Sequence, residues 1–430
     1  MNQSPTVVIK GGTVVDRTGQ RVADVAIEGG RIAAVDADLA PGQGDLTIDA
    51  GGCLVMPGFV DVHTHLRQPG KEEAETVETG ARAAALGGFT CIVAMPNTTP
   101  AIDSAGVARE VLELGRDTCC DVRTSAAITV GRAGEQLTPM AELADLGVRL
   151  FTDDGNGVQD VRLMRRALEY ARGLDVTLAQ HCEDEALSAG GHMHEGEVSS
   201  RLGIPGVPAE AEELMVMRDI ALARLTGAKV HFQHLSTEGS VAMVRAAKAG
   251  GLRVTCEATP HHFTLTDERC AGFDPVFKVN PPLRPGSDMA AVRAGLADGS
   301  IDCIATDHAP HAPEEKERPF DQAPPGMLGL QTALGLALTY LDVTPSVLVG
   351  LLSSRPAAIV GVSDVHGGPV EVGRPANLCV VDPAATWVVE PGLLASRSRN
   401  TPFAGMKLSG QVRHTLLWGE LVVRDGEAQR

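Results

Sequence analysis

The chain has 430 residues, enough for two or three average domains or for one large α/β barrel with a smaller domain attached. Its 37 basic and 55 acidic residues give a net charge of −18, which excludes sequence-independent nucleic-acid binding and disfavours an anionic membrane surface as a partner. The hydrophobic fraction of 43% supplies a large core, and with only 3% aromatic residues this core must be mainly aliphatic. We therefore expect an acidic globular protein, and an enzyme in particular.

Residues 5 to about 56 alternate apolar and polar residues and are interrupted by glycine pairs at Gly11-Gly12, Gly29-Gly30 and Gly51-Gly52. This pattern predicts short strands joined by glycine turns. The same pattern returns after residue 371, in GRPANLCVVD and HTLLWGELVVRDGE. We predict that residues 1–56 and 366–430 form one small β-sandwich beside the domain formed by residues 57–365.

Short apolar runs alternate with helical patterns between these two segments. The runs cover residues 59–65, 89–97, 121–129, 148–154, 176–181, 229–234, 253–258 and 301–308. Amphipathic periodicity predicts helices between them, for example over residues 76–86, 161–172, 209–225 and 239–249. Eight buried strands alternating with helices predict an α/β fold with a parallel sheet closed into a TIM-like (β/α)8 barrel.

The nine cysteines and the N-terminal residues indicate the cellular compartment of the protein. No CxxC pair occurs, and most of the cysteines lie in apolar runs, where thiols pack as small hydrophobic groups. A disulfide framework is therefore not expected. The sequence MNQSPTVVIKGG lacks the basic and apolar regions of a secretory signal, and the most apolar stretch, 328–340, is too short to span a bilayer. We expect a cytoplasmic location.

Polar side chains stand at the carboxyl ends of six of the eight predicted strands. They are His63, His65, Asn97, Asp153, Asp154, His181, His234 and Asp307. In a parallel barrel these strand ends converge on one face, which is where TIM-barrel enzymes carry their active sites. Loop polarity explains any one of these residues, but the whole set predicts an active site.

The histidines among these residues predict a metal centre. His63 and His65 lie two residues apart and so project from the same side of an extended strand. An isolated pair of this kind is usually structural, but further donors follow on later strands: His181, His234 and a carboxylate at Asp153 or Asp154. This set exceeds the three protein ligands of a single catalytic zinc and predicts two metal ions about 3.5–4 Å apart that share the carboxylate. Imidazole and carboxylate suit zinc, with manganese or cobalt as alternatives.

Asp307 ends the last predicted strand, within ATDHAPH. A lone aspartate in this position more often caps the next helix. Next to a metal centre it is well placed as a general acid/base, a role worth about 10²–10⁴-fold in rate, and it is also expected to contact one metal ion.

Seven motifs in this order, GGCLVMPGFVDVHTHLRQPG, MPNTTP, FTDDG, HCED, HLS, VNPPLR and ATDHAPH, resemble those of class I bacterial dihydroorotases in the amidohydrolase superfamily. The resemblance implies a (β/α)8 barrel and the reversible conversion of N-carbamoyl-L-aspartate to L-dihydroorotate in pyrimidine biosynthesis. It further implies two Zn²⁺ per subunit, one bound by His63 and His65 and the other by His181 and His234, bridged by a hydroxide and by Asp154.

The spacing within the family favours Asp154 over Asp153 as the bridge, since His181 follows Asp154 by 27 residues. Many relatives bridge their metals with a carboxylated lysine instead. No lysine lies between Lys71 and Lys229, so that variant is excluded and an aspartate bridge is expected.

The resemblance also implies the substrate contacts. Arg67 follows His65 by two residues, and a guanidinium binds a carboxylate through two parallel hydrogen bonds. Its implied partners in holding the substrate carboxylate are Asn97 and His311, and His65 is also expected to contact the substrate. Asn280 and the backbone of Pro325 and Gly326 are expected to contact the ring amide. Arg67 disfavours allantoinases, in which we expect asparagine there, and dihydropyrimidinases, which lack the arginine.

Two pairs of histidines are expected to take no part in metal binding or catalysis, and the role of one loop segment is undecided. We predict that His192 and His194 belong to a solvated glycine-rich loop, and that His261 and His262 pack near the pocket without binding metal. The charged, proline-rich segment 312–327 is equally consistent with a lid and with a solvated loop.

Two alternative functions remain. One is a related cyclic amidohydrolase such as an allantoinase or dihydropyrimidinase, and the other is a non-catalytic scaffold for aspartate transcarbamoylase, which would have lost ligand histidines. A homo-oligomer and an association with aspartate transcarbamoylase are possible partners that the sequence leaves undecided.

Overall fold

The computed structural model describes residues 7–430. The first six residues of the predicted 1–56 segment lie outside it, and they are also the first half of the stretch MNQSPTVVIKGG used to argue against a secretory signal. The described chain begins with short strands separated by turns, as the glycine pairs predict. They are β1 (Val7–Lys10), β2 (Thr13–Asp16), β3 (Gly19–Val22), β4 (Asp24–Glu28), β5 (Arg31–Asp36), β6 (Leu46–Asp49) and β7 (Leu54–Pro57).

The middle of the chain alternates strands and helices. In chain order these are β8 (Phe59–Thr64), α1 (Val77–Leu86), β9 (Phe89–Ala94), α2 (Ala105–Leu114), β10 (Asp121–Thr124), α3 (Met140–Asp145), β11 (Leu150–Phe151), α4 (Val161–Leu174), β12 (Thr177–Gln180), α5 (Glu185–Ser188), β13 (Met193–His194), α6 (Glu197–Leu202), β14 (Gly206–Val207), α7 (Glu210–Thr226), β15 (Lys229–Phe232), α8 (Glu238–Ala249), β16 (Val254–Ala258), α9 (Gly286–Asp298), β17 (Cys303–Ile304), α10 (Pro313–Lys316), α11 (Ala333–Tyr340), α12 (Pro345–Val349) and α13 (Arg355–Ile359). Short 3-10 turns cover Val130–Arg132, Asp267–Gly272, Pro275–Phe277 and Pro391–Leu393, and a π-helical turn covers Gly350–Ser354.

Within residues 7–430, eight parallel strands close into a barrel. They pair in the orders β8-β9-β10 and β11-β12-β15-β16-β17. Parallel bridges from Ala126 to Phe151 and from Thr64 to His308 join the two groups into a ring. Each strand is shorter than the apolar run that predicts it.

The sandwich combines strands from both ends of the described chain, including β18 (Leu378–Val388), β19 (Lys407–Leu417), β20 (Glu420–Arg424) and β21 (Glu427–Ala428). One sheet has the order β5-β4-β1-β6, and the other has the order β21-β20-β19-β18-β7-β2-β3. Their facing sides share one apolar cluster, with Ile9 and Ile27 from the first sheet and Val14, Val380 and Leu416 from the second. The predicted fold class, a (β/α)8 barrel with a small β-sandwich, is confirmed, whereas the exact domain boundaries stay a prediction.

The four helices predicted from periodicity all occur, with bounds within two residues of those expected. Local capping explains three of the four starts: the side chains of Thr76, Asp160 and Thr237 each accept a hydrogen bond from a backbone N–H in the first turn of the helix that follows. No helix within residues 7–430 combines the length and apolar character that crossing a membrane requires.

The prediction that His192 and His194 lie in a solvated loop is wrong for His194. This residue belongs to β13, which pairs with β14, and its side chain is buried. Arg284 Nη1 donates to His194 Nδ1 at 3.0 Å, and burial together with this cation lowers the pKa of His194 to about 4. The sequence did not indicate this contact, because Arg284 lies 90 residues further along the chain.

The segment 312–327 packs against the barrel. Phe320, Ala323 and Met327 are buried, and Lys316 Nζ donates to the carbonyl oxygens of Pro275 at 2.9 Å and Pro324 at 2.8 Å. A wholly solvated loop is therefore excluded, and movement of the segment as a lid stays a prediction.

Asp61 ties the first barrel strand to the last. Its carboxylate accepts hydrogen bonds from Thr306 Oγ1 at 2.6 Å, from Thr306 N at 3.2 Å and from His63 N at 3.1 Å. Burial raises the pKa of Asp61 to about 7, despite these hydrogen bonds. Asp61 thus holds in register the two strands that carry His63 and Asp307.

We expect Asp61→Ala to lower the free energy of unfolding by about 3 kcal/mol or more, because buried donors lose their acceptor at roughly 1–3 kcal/mol each. Urea unfolding followed by far-UV circular dichroism measures this change. Asp117→Ala, at an exposed carboxylate, is the control. Equal midpoints for the two variants would show that Asp61 does not hold the barrel closed.

Candidate metal centre and substrate cavity

The carboxyl ends of the barrel strands bring four histidines around one carboxylate. Asp154 Oδ1 lies 3.2 Å from His63 Nε2, 3.7 Å from His181 Nδ1 and 3.9 Å from His234 Nε2. Asp154 Oδ2 lies 3.6 Å from His65 Nε2. All five side chains are buried. Asp154 therefore faces all four histidines.

These residues form two triads of donor atoms, one of His63, His65 and Asp154 and one of Asp154, His181 and His234. Within each triad the donor atoms lie within 4.8 Å of one another. Asp154 belongs to both triads, which is the arrangement that two metal ions sharing one carboxylate require.

The alternative bridge, Asp153, points elsewhere. Its carboxylate accepts hydrogen bonds from Thr129 N at 3.0 Å and from Thr129 Oγ1. Burial raises the pKa of Asp153, whereas the pKa of Asp154 is held well below its usual value by His63 and the other imidazoles, although its burial acts in the opposite direction. The two adjacent carboxylates thus have different environments, and only Asp154 faces the histidines.

The ring nitrogens are arranged as metal ligands require. His63 Nδ1 donates to Glu257 Oε1 at 2.6 Å, and His65 Nδ1 donates to Asn97 Oδ1 at 2.9 Å. These bonds place a hydrogen on each Nδ1. The Nε2 atoms then face the carboxylates, His63 Nε2 at 3.2 Å from Asp154 Oδ1 and His65 Nε2 at 2.9 Å from Asp307 Oδ1. His63 Nε2 is buried and has no hydrogen-bond partner within residues 7–430, which fits a metal-binding atom.

The close approach of these groups shifts their pKa values in opposite directions. Burial alone would lower the pKa of His63, but the carboxylates of Asp154, Glu257 and Asp307 raise it well above its usual value. His181 Nδ1 lies 2.9 Å from His234 Nε2, and burial together with this neighbouring charge lowers the pKa of His234 to about 3. The site therefore favours a proton on His63 and disfavours one on His234.

Glu257 is a residue that the sequence analysis missed. It lies in β16, is buried, and its Oε1 also accepts a hydrogen bond from His234 N at 3.2 Å. Its Oε2 accepts from His231 Nε2 at 2.9 Å. Glu257 thus contacts one histidine from each triad. The signal available in the sequence was an acidic residue inside the apolar run RVTCEA.

Asp307 lies beside the first triad. Its Oδ1 is 2.9 Å from His65 Nε2 and 3.4 Å from His63 Nε2. Although it is buried, the neighbouring imidazoles lower its pKa, so it is a carboxylate.

Asp307, His234 and Arg67 all have positive φ angles, of 46°, 33° and 61°. Such backbone is strained for residues other than glycine, and it is often found at functional sites.

A cavity of about 170 Å³ opens onto this cluster. Its lining includes every predicted site residue except His63, which lies fully buried: His65, Arg67, Asn97, Asp154, His181, His234, Asn280, Asp307, His311, Pro325 and Gly326. The volume is below the range of drug-sized pockets and suits a small metabolite.

Arg67 and His311 stand together at the cavity wall. Arg67 Nε donates to Pro310 O at 3.0 Å, and Arg67 Nη2 lies 3.4 Å from His311 Nε2. Burial lowers the pKa of Arg67, and within residues 7–430 its guanidinium makes no salt bridge. Burial and the charge of Arg67 lower the pKa of His311 to about 2.

Four residues predicted to contact the substrate have partners within the protein: Asn97, His311, Pro325 and Gly326. Asn97 contacts His65 and donates to Asp154 Oδ2 at 3.3 Å, so it positions a predicted metal ligand. His311 Nε2 donates to Pro325 O at 2.8 Å, and Gly326 N donates to Lys278 O at 2.9 Å. The backbone groups expected to contact the ring amide are therefore engaged within the protein.

His261 and His262 belong to neither triad, and their predicted place near the pocket without binding metal stays a prediction. His262 Nδ1 lies 2.7 Å from Thr259 Oγ1, and its Nε2 donates to Pro281 O at 3.0 Å. Both nitrogens have partners away from the metal triads. His261 is buried, and its Nε2 has no hydrogen-bond partner within residues 7–430.

Comparison with known proteins identifies relatives along nearly the whole chain. A family model described as "Dihydro-orotase-like" matches residues 52–240. The dihydroorotase of Pelotomaculum thermopropionicum is 48% identical over 425 residues, covering 97% of this chain and 99% of the relative. The dihydroorotase of Mycobacterium tuberculosis is 50% identical over 418 residues, covering 95% and 96%.

Solved structures share the fold. The L-hydantoinase (dihydropyrimidinase) of Arthrobacter aurescens superposes with a TM-score of 0.89 at 25% identity, covering 99% of this chain and 97% of that one. The dihydropyrimidinase of Brevibacillus agri superposes with a TM-score of 0.86 at 23% identity, covering 99% and 96%. The chain therefore belongs to the dihydroorotase family of the amidohydrolase superfamily.

Proposed function

We propose that the chain is a zinc-dependent dihydroorotase, which interconverts N-carbamoyl-L-aspartate and L-dihydroorotate. One observation carries this proposal: a single small cavity has the double triad around Asp154 at its base and the guanidinium of Arg67 in its wall. Within residues 7–430 this guanidinium makes no salt bridge. A partly buried cation without an anionic partner favours an anionic ligand. N-carbamoyl-L-aspartate and L-dihydroorotate each carry a carboxylate that can serve as this ligand.

The proposed metal ligands are His63 and His65 for one Zn²⁺ and His181 and His234 for the other, with Asp154 between them. The orphaned Nε2 of His63 and the hydrogen bonds that fix the tautomers of His63 and His65 support this assignment. Bound zinc supplies Lewis-acid polarisation of the substrate carbonyl and lowers the pKa of a water molecule.

Asp307 is proposed as the general acid/base. As a carboxylate it accepts the proton of the attacking water during ring opening and delivers it to the ring nitrogen that departs. In ring closure the same carboxylate takes the proton from the attacking carbamoyl nitrogen and returns it to the oxygen that leaves as water. Its contacts with His63 and His65 keep it at the base of the cavity throughout.

Arg67 and His311 are proposed to bind and orient the substrate carboxylate. Binding there fixes the ring amide over the triads, and this ordering lowers the entropic part of the barrier. The retained histidines and Asp307 disfavour a non-catalytic scaffold. Association with aspartate transcarbamoylase and a cytoplasmic location stay predictions.

Asp307→Asn should retain zinc and lose turnover. We expect kcat for dihydroorotate to fall by about 10²–10⁴-fold, because the amide cannot accept the proton. Zinc per chain, measured by inductively coupled plasma mass spectrometry, should stay at the wild-type value, whereas Asp154→Asn should lower it. Turnover close to wild type in Asp307→Asn would rule out the acid/base assignment.

Arg67→Gln should remove recognition of the carboxylate. We expect kcat/KM for dihydroorotate to fall by on the order of 100-fold or more, since a charge-assisted pair is lost, while zinc content stays unchanged. Arg165→Gln, at an exposed arginine of α4, is the matched control. Parallel assays with dihydrouracil and allantoin test the alternative amidohydrolases, and faster turnover of either than of dihydroorotate would contradict the proposal.

Glu257→Gln should weaken metal binding without removing a ligand. The amide can still accept from His63 but lacks the charge, and loss of such a partner typically costs about 10–100-fold in metal affinity. Competition with a chromophoric chelator measures zinc affinity directly, with Glu169→Gln on the surface of α4 as the control. An unchanged affinity would show that Glu257 only fills space.

A further inference from the structure

The connection between the sandwich strands β18 and β19 leaves the sandwich and packs on the barrel. It carries Asn400, whose buried side chain makes three hydrogen bonds. Asn400 Nδ2 donates to Ala309 O at 2.9 Å and to Gly326 O at 3.2 Å, and its Oδ1 accepts from His311 N at 3.2 Å. One side chain therefore joins two loops that both line the substrate cavity.

The loop that Asn400 holds also contacts the arginine of the cavity wall. Arg67 Nε donates to Pro310 O at 3.0 Å, and Arg67 Nη2 lies 3.4 Å from His311 Nε2. Pro310 stands between Ala309 and His311, the two residues of this loop that bond to Asn400. The position of the guanidinium thus depends on the loop, and the position of the loop depends on Asn400.

The two loops pack closely where Asn400 joins them. A Cβ atom on Gly326 would lie 2.8 Å from Ala309 Cβ and 2.8 Å from His311 Nε2, so only glycine fits there. The φ angle of Gly326 is 133°, which also favours glycine. Because no free space separates the loops, a shift of either one would displace the His311 imidazole from the cavity wall.

Asn400 is itself held in place by its own segment of chain. Its carbonyl oxygen accepts a hydrogen bond from Leu328 N at 3.1 Å. Four residues earlier, Ser396 Oγ donates to the buried carboxylate of Glu75, and Arg397 N donates to the same carboxylate at 3.1 Å. The side chain of Asn400 is therefore ordered by the protein before any ligand binds, as a group that positions other residues must be.

We propose that Asn400 is a positioning residue for the substrate carboxylate, and that it aligns His311 directly and Arg67 through Pro310. This inference rests on the proposed function and extends it to a residue outside the cavity lining. An amide suits the task because it supplies both donors and an acceptor to backbone groups without adding a charge. A carboxylate in the same place would repel both the two carbonyl oxygens and an anionic substrate.

Loss of the Asn400 side chain should weaken substrate binding more than it slows the chemical step. Asn400→Ala removes the partner of three buried backbone groups, so the loop that carries His311 is free to shift. We expect KM for dihydroorotate to rise by about 10-fold or more, the equivalent of one such lost partner, while kcat changes much less. Zinc per chain should equal that of wild type.

Asn377→Ala is the matched control. Asn377 is also buried and also joins two backbone segments, since its Nδ2 donates to Val365 O at 3.0 Å and its Oδ1 accepts from Trp418 N at 2.6 Å. Within residues 7–430 the cavity lining contains neither Asn377 nor these two partners. This variant should lower the unfolding midpoint but leave KM unchanged. Equal increases of KM in the Asn377 and Asn400 variants would overturn the proposal.

A double-mutant cycle tests whether Asn400 acts through the carboxylate site. In an Arg67→Gln background, Asn400→Ala should reduce kcat/KM much less than it does in wild type, because the contact that it aligns is already weakened. Losses that multiply fully would show that Asn400 has only a structural role, and would overturn the proposal.

Asn400→Asp provides a second variant in case Asn400→Ala yields too little folded protein. It preserves the shape of the side chain and the acceptor for His311 N, but it replaces the donor to Ala309 and Gly326 with an oxygen. We expect an increase of KM at least as large as in Asn400→Ala. An active wild type whose KM is unchanged by either Asn400 variant would overturn this inference alone, whereas a wild type that does not turn over dihydroorotate would overturn the proposed function and this inference with it.

Discussion

Asp154 is a buried carboxylate surrounded by four imidazoles, and the rest of the site depends on keeping those charges compensated. A lone charge at this depth would cost several kcal/mol. The histidines lower the pKa of Asp154, and Glu257 and Asp307 in turn raise that of His63. The charges of Asp154 and His63 are therefore stabilised by their neighbours, whereas burial and the neighbouring imidazoles keep His234 neutral.

Barrel closure brings this cluster together. His63 and Asp307 lie on the first and last strands, which meet at the Thr64–His308 bridge and at the hydrogen bonds of Asp61. His181 and His234 come from adjacent parallel strands, so their rings approach within hydrogen-bond distance. If the barrel did not close, the donor atoms of the two triads would move apart. The residues that close the barrel are therefore needed both for stability and for the metal centre.

The cavity separates two chemical tasks. Its base gathers carboxylates and imidazoles, which suit metal ions and proton transfer, and its wall presents Arg67, which suits an anionic group. The overall charge of −18 therefore says little about the substrate, because a small ligand responds to the local field within about 10 Å of the site. The segment containing Pro325 and Gly326 covers the same cavity and is anchored by Lys316.

The sequence by itself determined the barrel, the sandwich and most of the site. Apolar runs and amphipathic spacing indicate which residues are buried, and the pattern of buried residues predicts the strands and helices. Because the strands are parallel, the histidines at the ends of the apolar runs lie on one face of the barrel. Only the tertiary structure decided in which direction each side chain points and which residues, distant in sequence, it contacts. It turned Asp154 toward the histidines and Asp153 toward Thr129, placed Glu257 beneath both triads, and buried His194 against Arg284. Neighbouring residues of the same type are alike in sequence, and only the three-dimensional packing of side chains distinguishes them.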